Sequence, residues 1–112
     1  MSTTVTDEQI QALAATAKPF SLAILQWSPE RTVEGADAIE LEHQRRMVSL
    51  HAEGVIAVLC PVVADTVAGV AIMTVPAEKA AEIMAGDPCV QAGIMTCDVH
   101  PCNGFPGDTI PA

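Results

Sequence analysis

Three stretches of this chain are apolar at nearly every position: Phe20-Ser21-Leu22-Ala23-Ile24-Leu25, Val55-Ile56-Ala57-Val58-Leu59 and Val70-Ala71-Ile72-Met73. Each is short and bounded by proline, glycine or polar residues, the mark of a strand. Between the first two, from Ala36 to Glu53, the rhythm changes. Ile39, His43, Met47 and Leu50 recur at spacings of four, four and three, so an α-helix gathers them on one face. Glu42, Gln44, Arg45 and Ser49 fall mostly on the other faces, and Gly54 ends the helix. Ahead of the first strand, Thr6 and Gln9 form a capping-box pattern for a short helix running to about Ala17 and stopped by Pro19.

The remaining elements follow in the same way. Strands are predicted over Phe20–Trp27, Val55–Cys60, Val67–Val75 and Ile94–His100. A second helix starts at Pro76 and is closed by Gly86. Asp87-Pro88 makes a turn, and the proline- and glycine-rich stretch after Pro101 is a tail. After the N-terminal extension the order is strand, helix, strand, strand, helix, strand. Two split crossovers of one hand give an α+β, ferredoxin-like βαββαβ fold, with a four-stranded antiparallel sheet and both helices on one face. Residues 1–112 then form one domain, with 1–18 a helical extension and 103–112 a tail. A solvated second face would alternate polar with apolar residues, and these strands do not. That face needs cover, and a second copy of the chain packed sheet to sheet is the economical solution, so a homodimer is expected.

Composition narrows the function. A chain of 112 residues suits one core. Its net charge of −9, with five lysines and arginines, repels phosphate backbones and anionic membranes, so no nucleic-acid or membrane partner is expected. No apolar run approaches the roughly eighteen residues of a membrane span. The segment Met1–Gln11 is polar and acidic, unlike a secretory signal, so a reducing, cytoplasmic setting is expected. The four cysteines are therefore expected free. Cys97-x2-His100-x-Cys102 hints at a metal, but residues 97 and 100 point to opposite sides of a strand, and the paired Cys-x2-Cys of a zinc site is missing. No metal and no cofactor are expected.

The chemistry centres on His43, an inward-facing imidazole on the helix stripe. Imidazoles titrate near pH 6.5, roughly, and so act as acid or base at working pH. The ferredoxin-like topology brings the end of the first strand, the start of the first helix and the turn before the last strand to one edge. Trp27, His43 and Asp87 then meet, with Ile39 and Met47 beside the histidine. A carboxylate fixes an imidazole's tautomer and an indole supplies an apolar wall, which together suit general acid/base work on a small organic ligand. Each residue also has a plain structural reading: a core histidine bonded to a carbonyl, an ordinary Asp-Pro turn, a strand-end aromatic. His51 is placed on the surface. His100, with Asp98 and Thr96, is placed on the free sheet face.

The segments Glu42-His43-Gln44-Arg45-Arg46 and Leu50-His51-Ala52-Glu53-Gly54-Val55-Ile56 resemble the helix-to-strand signature of the YciI-like (YCII-related) family. Ala77-Glu78-Lys79-Ala80-Ala81-Glu82-Ile83 and Gly86-Asp87-Pro88-Cys89-Val90-Gln91-Ala92-Gly93 resemble its second helix and Asp-Pro turn. The resemblance runs from about Phe20 to Pro106. It implies a dimeric α/β barrel related to muconolactone isomerases and a histidine/aspartate site, which falls on His43 and Asp87. One member of that family eliminates chloride from a chlorinated hydroxyquinol. This chain departs from the family in Cys89, where an aromatic residue usually follows Asp-Pro, and in Cys60-Pro61, where Gly-Pro commonly closes the second strand.

The expectation is a cofactor-independent lyase or isomerase, with His43 and Asp87 catalytic and Trp27, Ile39 and Met47 against a small cyclic or aromatic substrate. The alternative is a dimeric small-molecule-binding or accessory protein without turnover. No glycine-rich nucleotide loop, P-loop or serine nucleophile elbow competes.

Overall fold

Alternate positions of β1 (Lys18–Trp27) are buried, with Ser21, Ala23 and Leu25 all pointing to one side. A computed structural model describes residues 4–112 and places β1 inside a four-stranded antiparallel sheet. The strand order is β2-β3-β1-β4, with β2 at Ile56–Pro61, β3 at Val67–Met73 and β4 at Met95–Gly104. Four helices accompany it: α1 (Asp7–Ala14), α2 (Ala36–Ala52), α3 (Ala77–Ala85) and the short α4 (Pro88–Gln91). The architecture is α+β with an open sheet, compatible with a ferredoxin-like fold. No helix among the described residues is long and apolar enough to cross a membrane.

The core fills the space between the sheet and α2, α3 and α4. Ala23 and Leu25 of β1, Ala71 and Met73 of β3 and Met95 of β4 meet Met47 of α2 and Met84 of α3. A chain with so few aromatic residues fills its core with methionine, whose flexible thioether fits irregular gaps. Arg46 ties α2 to α3 by donating from Nη2 to the Ile83 carbonyl at 2.6 Å, over Gly86. Its Nη1 is buried with no partner among the described residues.

The other sheet face behaves differently. Leu22 and Ile24 of β1, Val70 and Ile72 of β3 and Val58 of β2 share it and stay half-buried. Thr96, Asp98 and His100 line its β4 edge and are exposed. Helix α1 buries none of its own residues, and Ile10 and Leu13 stand in the open. Its capping box is formed, with Thr6 and Gln9 exchanging side-chain and backbone bonds.

Several boundaries differ from the sequence expectation, the third strand ending at Met73 rather than Val75 among them. Helix α1 stops at Ala14 rather than near Ala17, and β1 begins at Lys18, before Pro19. The last strand does not end at His100 but continues through Pro101 to Gly104, paired with β1 throughout, so the tail starts later. A proline fits there because β4 is an edge strand and its missing N–H turns outward. The Asp87-Pro88 turn is the start of α4, with Asp87 as its cap. The β1–β4 pair outruns β3: Lys18, Pro19 and Phe20 pair with Gly104, Asn103 and Cys102 and have no β3 partner. With α1 ahead of this arm, the radius of gyration is 16.5 Å, against about 13 Å for a compact domain of this length.

Candidate functional site

Asp87 is placed by its own backbone. As the N-cap of α4 it adopts an extended conformation, and its Oδ2 accepts from the amides of Cys89 at 3.0 Å and Val90 at 3.4 Å. These bonds satisfy helix-start donors that have no partner within the helix. Pro88 follows at the first helical position, where no N–H is needed. The carboxylate is completely buried, and both of its oxygens lie 2.8 Å from Nδ1 of His43.

His43 stands two turns into α2 and is 13% exposed. A carboxylate only accepts, so Nδ1 carries the hydrogen, and the neutral ring presents Nε2 as its lone-pair nitrogen. His43 forms part of the wall of a cavity of about 570 Å³ between α2 and the sheet, whereas Asp87 does not reach it. The pair therefore meets the cavity through the imidazole alone. The volume suits a small organic molecule.

Of the other sequence candidates, Trp27 and Met47 line this cavity. Ile39 does not, and packs against the core instead. Leu25, Leu59 and Met95 complete much of the apolar wall. His51 is exposed on α2 and His100 is exposed on the free sheet face, both away from the cavity.

Three polar wall residues escaped the sequence reading: Glu40, one turn before His43, Gln44, which the helical spacing places mostly on another face, and Arg31. Arg31 lies on a 3-10 turn, Pro29–Thr32, capped by Ser28. The Ser28 hydroxyl accepts from the Glu30 amide at 3.1 Å and donates to the Gly93 carbonyl, so the turn is tied to the start of β4. The Arg31 guanidinium then stacks on Trp27, 4.0 Å from the ring centroid. The only sequence signal was a basic residue four positions after the tryptophan.

Cys89 lies beside the pair. His43, Asp87 and Cys89 each put one potential metal-ligand atom within 4.8 Å of the others. The thiol is fully buried, and burial, followed by the charges of Asp87 and Glu40, pushes its pKa up to about 12. A thiol held protonated is a poor ligand, and the carboxylate is already committed to His43 and two amides. The Cys97, His100 and Cys102 triplet is not gathered: Cys97 sits opposite Leu25 on the helix side of the sheet, and His100 opposite Leu22 on the free side. All four cysteines are free.

The chain matches no protein-family model and no curated protein.

Proposed function

We propose that this chain is a cofactor-independent proton-transfer enzyme of lyase or isomerase type, acting on a small cyclic or aromatic compound. The observation that carries the reading is the His43–Asp87 contact, with the imidazole on a cavity wall and the carboxylate sealed behind it. In this reading His43 Nε2 takes a proton from an activated carbon of the substrate. Asp87 holds the ring in the Nδ1–H tautomer and stabilises the imidazolium that forms. The proton then returns at a different carbon, which is an isomerisation. In an elimination, a leaving group such as chloride instead departs from the neighbouring carbon. The resemblance to the YciI-like family supports the same pair of residues.

The proposal includes a homodimer formed through the free sheet face, as in a dimeric α/β barrel. The row Leu22, Ile24, Val70 and Ile72 supports it, since apolar side chains half-buried in one chain gain by further burial in a second.

The test is proton exchange. Hydroxylated and chlorinated aromatics, incubated with the protein in D2O, should take up deuterium or lose chloride with wild type and not with His43→Ala. Ligand binding without exchange or turnover in wild type would instead favour the accessory, non-catalytic reading.

A further inference from the structure

The positive charge of this acidic chain is unevenly committed. Arg45 and Lys79 pair with exposed glutamates on their own helices. Arg46 is turned towards the Ile83 carbonyl, and Lys18 opens β1 at the arm beyond β3. Arg31 is the cation on the cavity wall, and among the described residues no carboxylate pairs with it. The one hydrogen bond of its side chain among the described residues, from Nη1 to the Asp65 carbonyl, is long at 3.5 Å. A guanidinium has five donors, so most of this one's hydrogen-bonding capacity is uncommitted.

We propose that Arg31 makes the cavity selective for small monoanionic organic acids, whose carboxylate it binds through paired N–H donors. This inference rests on the proton-transfer reading for what happens after binding, and adds the class of substrate. Stacking on Trp27 occupies a face of the guanidinium and leaves its N–H edge, apart from the long Nη1 bond to Asp65, for the two-pronged contact that a carboxylate makes. The capped turn and its tie to Gly93 hold the group in place before any ligand arrives, so little order has to be created on binding. The rest of the wall is largely apolar and takes a ring. The other ionisable wall groups are Glu40, His43 and Cys60. Glu40 repels a second negative charge, which favours a monoanion over a phosphate ester or dicarboxylate. The acid is then held at one end by Arg31, with its ring directed at His43.

Benzoate and benzamide, which share shape and differ in charge, test this by calorimetry or by amide-shift titration. Benzoate should bind wild type more tightly than benzamide by about tenfold or more, and phenyl phosphate should bind more weakly than benzoate. Arg31→Met, which keeps an apolar stem over Trp27, should abolish the preference, while Arg31→Lys should retain part of it. His43→Ala should keep the preference even if it loses all proton exchange, so a failed proton-transfer reading and a failed anion reading give different results. Equal binding of the two compounds by wild type overturns the proposal. So does a benzoate preference that persists in a folded Arg31→Met, or no binding of benzoate at millimolar concentration.

Discussion

Asp87 serves His43 and the start of α4 with one carboxylate, the Oδ2 that accepts from Cys89 also lying 2.8 Å from the imidazole. The two duties are separable by substitution. Asp87→Asn retains an oxygen that can cap α4 but loses the charge and supplies a different group to Nδ1. Asp87→Ala loses both. Urea denaturation should therefore rank wild type above Asn and Asn above Ala, with the alanine variant less stable by about 2 kcal/mol or more, since it strands buried donors. Equal stability of the two variants would show that the cap contributes nothing.

The free sheet face should report the dimer. Ile24→Asp puts a carboxylate among Leu22, Val70 and Ile72, where burial without a partner costs several kcal/mol, roughly. Sedimentation at micromolar concentration should give twice the chain mass for wild type and a monomer or unfolded chain for the variant. A wild-type monomer would end the sheet-to-sheet proposal.

The thiols should separate by depth. Cys60 is exposed and should react first with a disulfide reagent, while Cys89 should react only on unfolding. The folded pKa of Cys89, about 12, lies above the ordinary value of 9.0, and burial raises Cys97 to about 11. A raised acid pKa means the folded state holds its proton more tightly. The stability this contributes is complete below pH 9 and is lost as pH climbs towards about 12. Urea midpoints measured at about pH 8 and about pH 10.5 should fall less steeply in Cys89→Ala than in wild type.

Helix α1 should be dispensable for folding. It buries no residue, and eight residues form a marginal helix by themselves. Removing residues 1–16 should change the unfolding free energy by less than about 1 kcal/mol. A larger loss in the intact assembly would mean that Ile10 and Leu13 pack against something.

The strands and α2 were legible because short apolar runs and a recurring helical spacing are local signals. The meeting of His43 with Asp87 was legible because the order of elements fixes which ends share an edge. Arg31 was not, since its place depends on a 3-10 turn and on a Ser28–Gly93 bond across 65 residues. No periodicity encodes such a tie. The extension of β4 was hidden by Pro101, which reads as a stop wherever the strand's position in the sheet is unknown. Ile39 shares the helical stripe of His43, yet the cavity wall takes Met47 and leaves Ile39 to the core. Spacing assigns a face of a helix, but not which of its residues meets open space.

Pro101 also bears on how the molecule survives being concentrated. Beyond β4 lies a row of backbone groups that a strand from another molecule could join, the usual route to fibres. The proline takes one donor out of that row, opposite Ser21 and just before the arm that outruns β3. Pro101→Val would restore the row while leaving the cavity untouched. Such a variant should fold normally, yet scatter light and bind amyloid dyes at concentrations where the parent stays clear.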